Sequence, residues 1–84
     1  MAEVILTPSA AKELEELPKV IHLRVLKLLE RLKSWPKISG AKTLTGNLAG
    51  KHRLRTGDYR LQFRVQKGNP IVEKIGHRDG FYGE

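Results

Sequence analysis

The sequence predicts an α+β fold: an N-terminal strand, then an antiparallel helical hairpin packed on a small antiparallel β-sheet, in the order β-α-α-β-β-β. Three observations carry that expectation. Apolar residues recur at steps of three and four from Ala10 to Leu32, the spacing of one helix face. From Lys51 onward the period switches to two, with basic and polar side chains alternating against apolar ones. Turn-forming residues break this second half at Thr56-Gly57-Asp58 and Lys67-Gly68-Asn69-Pro70.

Each element has a local cause. Glu3-Val4-Ile5-Leu6 reads as a short strand. Thr7-Pro8 starts a helix, with Thr as N-cap and Pro at the first helical position, where its missing N–H costs nothing. Ala10, Leu14 and Leu17 give that helix an apolar face through about residue 17, and Glu13, Glu15 and Glu16 make it acidic. Pro18 disfavours helical backbone at Leu17, so it ends the first helix and opens a second. In the second helix, to about Ser34, Ile21, Val25, Leu28, Leu29 and Leu32 form one stripe. Leu23 and Leu26 fall on nearly the opposite side; they are either covered by the first helix, the preferred reading, or left for a partner. Trp35-Pro36 closes the hairpin.

Residues 36–50 carry Pro36, Gly40, Gly46 and Gly50 and read as a loop, with Leu44 and Leu48 touching the core. Three strands follow: Lys51 to Arg55, Tyr59 to Gln66 and Ile71 to Ile75. Short turns make them an antiparallel meander, and the first strand adds to its edge. The hairpin covers the apolar face, giving two layers.

The 84 residues form a single domain, 1–84, too short for a second. Sixteen Lys and Arg stand against nine Asp and Glu, a net charge of +7, which points to a polyanionic partner or, more blandly, to solubility charge. No segment approaches the roughly 18–20 apolar residues of a membrane span, and no signal peptide is visible, so a cytoplasmic protein is expected. Cysteine is absent, which excludes disulfides and Cys-based zinc sites. His22, His52 and His77 do not fall at a metal-binding spacing, and His22 reads as a surface residue. There is no Gly-rich phosphate loop and no paired carboxylate; Asp58 and Asp79 both look turn-like. Neither a metal nor a cofactor is expected.

What remains is a cationic sheet face. In the second meander strand Tyr59, Leu61, Phe63 and Val65 point to the helices, so Arg60, Gln62, Arg64 and Gln66 face solvent. Lys51, Arg53 and Arg55 alternate on the neighbouring strand. Guanidinium forks on a rigid sheet match phosphate geometry. The competing reading is a charged face that merely prevents edge-to-edge aggregation. Five basic residues against the single acid Asp58 between Lys51 and Arg64 exceed that need, so phosphate binding is preferred. Beyond the last strand, Arg78 can project over the same face and Tyr82 can stack on a base, while Phe81 pins the tail to the sheet.

Four segments then occur in order: Ala11-Lys12-Glu13-Leu14-Glu15-Glu16-Leu17-Pro18, Ala41-Lys42-Thr43-Leu44-Thr45-Gly46, Arg53-Leu54-Arg55-Thr56-Gly57-Asp58-Tyr59-Arg60 and Ile75-Gly76-His77-Arg78, followed by Tyr82. The set resembles the RelE/ParE superfamily of toxins from type II toxin–antitoxin systems, RelE-like branch, over nearly the whole chain. The resemblance implies the fold read above. It implies a ribosome-dependent mRNA endonuclease that works without metal and inhibits translation. In that chemistry the 2′-hydroxyl attacks the adjacent phosphate, leaving a 2′,3′-cyclic phosphate and a 5′-hydroxyl. Carried over residue by residue, Lys51 matches a catalytic lysine, Arg60 the transition-state arginine, Arg78 the arginine near the leaving group and Tyr82 the substrate-stacking tyrosine. Arg53 stands where the family often has a second lysine, and arginine cannot act as a base. The base is then Lys51, His52 or Tyr82. Arg55, Arg64, His52 and His77 complete the expected RNA contacts, His77 being a further possible proton donor although on the other face from Arg78. The implied partners are a cognate antitoxin, the ribosome and mRNA. The competing functions are a ParE-like DNA gyrase inhibitor and a basic RNA-binding module without activity.

Overall fold

The computed structural model describes residues 2–81, with side chains through Asp79. Its elements are β1 (Ile5–Leu6), α1 (Pro8–Glu15), α2 (Lys19–Leu32), β2 (Lys42–Thr43), β3 (Lys51–Thr56), β4 (Tyr59–Gln66), β5 (Asn69–His77) and a closing turn of helix, α3 (Arg78–Phe81). The five strands form one sheet in the order β1-β5-β4-β3-β2, and α1 and α2 lie on one side of it.

The helix starts follow the local chemistry. Thr7 is the N-cap of α1, its hydroxyl accepting from the Ala10 N–H at 3.1 Å, and Pro8 begins the helix. Pro18 occupies the N-cap position of α2 rather than its first turn, and contributes no side-chain cap. The two helices are tied by His22, whose Nδ1 donates to the Leu14 carbonyl at 2.9 Å, so this histidine fastens the hairpin rather than standing idle on the surface.

Phe63, Leu61, Leu54, Val72 and Ile75 project from the sheet into a core completed by Ala10, Val25, Leu28 and Leu32. Tyr59, expected in that core, is half-buried and packs edge-on against His77 at 5.1 Å. The bond inventory of β5 explains one acidic residue of α1. β1 covers β5 only at Ile71 and Val72, so the Ile75 N–H faces an uncovered edge. The Glu13 carboxylate accepts it at 2.8 Å.

Three expectations are corrected. The sheet is mixed rather than antiparallel, because β1 pairs parallel with β5, Ile5 opposite Ile71 and Leu6 opposite Val72. No tight turn dictates the direction of β1; the helical hairpin supplies the long crossover that parallel pairing needs. Second, the loop at 36–50 contains β2, which extends the sheet beyond β3, and a 3-10 turn at Gly46–Leu48. Two residues, Lys42 and Thr43, are too few for a readable period. Within this segment Ile38 and Ala41 pack against the core, and Leu44 and Leu48 are half-buried. Third, α1 does not cover the far side of α2: Leu23 is 53% and Leu26 38% exposed, beside Val20 at 62%. α1 lies over β5 and α2 over β3, so each helix turns its apolar face to the sheet and they meet only side by side.

Candidate nucleic-acid interface

The side of the sheet opposite the helices is built from residues that alternate with the core set. Directly opposed residues in an antiparallel pair share a face, so the strand register assembles rows across the sheet. One row runs Lys42, Arg53, Gln62, Lys74 from β2 to β5. A second runs Arg55, Arg60, Gly76, and a third Lys51, Arg64, Ile71. Seven basic residues (Lys42, Lys51, Arg53, Arg55, Arg60, Arg64 and Lys74) thus share one face. Gln62, 7% exposed, is buried at its centre, between Arg53 and Lys74 across the sheet and Arg60 and Arg64 along β4.

Two cross-strand pairs define the electrostatics, and they differ. Arg55 directly opposes Arg60, an arrangement of like charges that weakens a sheet. Among the described residues no carboxylate lies within ion-pair distance of either. Arg60 Nε is buried and has no hydrogen-bond partner among them. A buried donor left unpaired is unfavourable, and an anion over this row would relieve both defects. Gly76 places no side chain beside Arg60 on β5.

Lys51 directly opposes Arg64, but there a carboxylate intervenes. The register between β4 and β5 slips between Gln62 and Phe63, whose partners are Lys74 and Val72. Glu73 is the extra residue of this β-bulge. Its Oε1 accepts from Lys51 Nζ at 2.7 Å and its Oε2 from Arg64 Nε at 2.9 Å. Arg64 also donates through Nη1 to Gln66 Oε1 at 2.9 Å. Burial alone would raise the Glu73 pKa; the hydrogen bonds and positive charge of Lys51 and Arg64 outweigh it and hold the carboxyl below its ordinary 4.5. The unfolded chain therefore takes up this proton first on acidification. The stability from Glu73 is fully present well above pH 4.5 and is lost as pH falls through the lower folded value. Melting temperature against pH should thus fall less steeply on the acid side for Glu73→Gln than for the wild type; parallel curves would contradict the assignment.

Arg78 opens α3 and lies at the Arg55–Arg60 end of the sheet. Its N–H donates to the Asp58 carbonyl in the β3–β4 turn at 2.8 Å, and its Nε lies 3.9 Å from Asp58 and 3.5 Å from Asp79. The two histidines expected among the RNA contacts are not brought to this face. His52 turns to the helix side, stacked on Phe63 at 5.3 Å and 5.1 Å from Trp35, with Nδ1 3.3 Å from the Thr43 hydroxyl. His77 packs on Tyr59, also on the helix side, and its Nδ1 accepts from the Asp79 N–H at 3.1 Å. Tyr82 lies outside the described residues. Lys42, Lys74 and Glu73 are not among the site residues expected from the sequence. The first lies in the unforeseen β2, and the others lie at a bulge that shows in the sequence only as a break in alternation at Glu73-Lys74. Among the described residues no cluster of three His, Asp or Glu is placed to hold a metal ion, and no helix is long and apolar enough to cross a membrane.

A five-stranded sheet with a helical hairpin on one face and a field of cations on the other is the architecture of a small toxin class. The family model for the ParE toxin of type II toxin–antitoxin systems matches residues 4–80, and the chain belongs to that family. Solved structures agree. The toxin–antitoxin complex RelBE2 from Mycobacterium tuberculosis is 29% identical, covers 92% of this chain and 98% of its own, and superposes with a TM-score of 0.80. The isolated RelE toxin of E. coli shares the fold at 23% identity and TM-score 0.72, covering 92% of this chain and 84% of its own. So does the archaeal RelE–RelB complex from Pyrococcus horikoshii, at 24% and 0.69, covering 92% and 94%. No curated protein matches in sequence.

Proposed function

We propose that this toxin is a RelE-type endonuclease that cleaves mRNA on the ribosome. The observation that carries the reading is the opposed Arg55–Arg60 pair, with the Arg60 Nε unpartnered among the described residues, at one end of a seven-cation face. The reaction that the RelE resemblance implies suits such a face. The 2′-oxygen loses its proton and bonds to phosphorus, the bond from phosphorus to the 5′-oxygen breaks, and that oxygen takes a proton. Between these events the phosphate carries extra negative charge, which fixed guanidinium groups stabilise without reorganising. Arg60, with Arg55 and Arg53, is placed to do so, and Arg78 stands at the same end for the leaving oxygen. Proton removal falls to Lys51, once freed from its carboxylate, or to Tyr82. His52, turned to the helices, is a poor candidate.

A cognate antitoxin is part of the same proposal, since the RelBE2 and RelE–RelB relatives are toxin–antitoxin complexes. The exposed stripe of Val20, Leu23 and Leu26 on α2 offers such a partner apolar surface.

Primer extension on a defined mRNA in a reconstituted translation reaction tests the enzyme reading. Cuts at A-site codons only when ribosomes are present are expected. The matching family model bears the ParE name, which favours a second reading, inhibition of DNA gyrase. Intact mRNA with inhibited supercoiling would establish that reading instead. Salt-dependent RNA binding without scission would leave an inactive binding module.

A further inference from the structure

Glu73 is the one acidic residue in the five strands, and it reaches into the one face that carries seven basic ones. Its place there depends on the bulge in β5, which sets it one residue out of the regular register. The two carboxylate oxygens are divided between two cations, Lys51 Nζ at 2.7 Å and Arg64 Nε at 2.9 Å. A pair of anionic oxygens shared by an ammonium and a guanidinium is also how a phosphodiester would sit on the same donors. The carboxylate thus stands where two non-bridging phosphate oxygens would.

We propose that Lys51 and Arg64 form a second phosphodiester subsite of this face, closed in the free protein by the Glu73 carboxylate and opened when a polyanionic chain displaces it. The proposal rests on the RNA reading above and adds a gate to it. The three side chains are partly exposed, 31% for Lys51, 41% for Arg64 and 22% for Glu73, and ion pairs in such surroundings are weak enough to be exchanged. Among the described residues the Arg55–Arg60 row has no such carboxylate. Lys51 and Arg55 are four residues apart on one strand, roughly 13 Å. A single phosphate cannot engage both subsites. A chain held first at Arg55–Arg60 presents its next phosphates to Lys51–Arg64 at high effective concentration, and so competes with Glu73 where a free nucleotide does not. Opening also releases Lys51 from its carboxylate, which couples substrate length to the availability of that amine.

The test compares the wild type with Glu73→Gln, which keeps the side-chain size and an acceptor oxygen but removes the charge. Binding is measured as a function of salt with inorganic tripolyphosphate and with single-stranded RNA whose 2′-oxygens are methylated to prevent cleavage. Removing a like charge from the subsite should tighten tripolyphosphate binding by about tenfold. For tripolyphosphate the slope of log affinity against log salt should also steepen, as one or two further cations become available. Adding Lys51→Gln to Glu73→Gln should return the slope toward the wild-type value. Tighter tripolyphosphate binding with no RNA binding by either protein would keep the gated anion subsite and overturn the RNA reading. Equal affinities and equal slopes with tripolyphosphate would overturn the gate, whatever the RNA result. Should Glu73→Gln fail to fold by circular dichroism, Glu73→Ala carries the same expectations.

Discussion

Replacing Arg60 with alanine is expected to lower the rate of cleavage of ribosome-bound mRNA by about 100- to 1,000-fold, the usual effect of removing one preorganised charge-stabilising donor. The measurement is single-turnover cleavage at saturating toxin, so that weakened binding does not mimic a slower chemical step. The thermal stability should move in the other direction. Arg60 faces Arg55 directly, and its Nε is buried without a partner among the described residues. Truncation removes both defects, and the melting temperature should stay constant or rise. A residue that contributes structural stability would instead lose activity and melting temperature together. Arg60→Lys keeps the charge but not the two-pronged donor geometry, and should recover only part of the lost rate. Wild-type cleavage by Arg60→Ala would remove the opposed pair from the mechanism.

The shared face of Arg55 and Arg60 was legible because a half-buried strand writes its two faces into the sequence at a period of two. Leu61 and Phe63 point inward, so Arg60, Gln62 and Arg64 must point out, and the same reasoning sets Lys51, Arg53 and Arg55 apart from Leu54. That alternation also placed His52 on the inner side, and its grouping with the RNA contacts went against the pattern. The start of α1 was legible for a related reason: Thr7 and Pro8 act on backbone groups within one helical turn.

What the sequence left hidden depends on contacts between distant segments. The parallel pairing of β1 with β5 joins residues 66 positions apart and leaves no local trace. The bulge at Glu73 is a property of two strands together; in β5 alone it shows only as a disturbed alternation. It changes the chemistry of the face, since it brings the one strand carboxylate onto Lys51, one of the three residues left open as the base. The exposure of Leu23 and Leu26 likewise follows from where α1 settles on the sheet, and the helical period of α2 cannot report that.

The largest expected loss of stability is at Phe63. Its ring is fully buried, edge-on to Trp35 at 5.3 Å and stacked on His52 at 5.3 Å, in the centre of β4. It meets the end of the helical hairpin through Trp35 and β3 through His52, so three parts of the fold close on one side chain. Phe63→Ala removes that contact and leaves a cavity that rigid strands cannot collapse, at a cost of about 3–5 kcal/mol. An 84-residue domain has a total stability of roughly 4–13 kcal/mol, so the variant should lose a large fraction of it. Phe63→Leu keeps most of the volume and should cost less. Chemical denaturation of the three proteins decides the matter. The alanine variant should unfold at much lower denaturant with an unchanged slope, and the leucine variant between the two. A small shift for Phe63→Ala would mean that the aromatic cluster is peripheral. Because the cationic face sits on the reverse of this same strand, loss of Phe63 should also disperse the Arg60 and Arg64 rows. Activity of the alanine variant should therefore track its folded fraction, whereas that of Arg60→Ala should not.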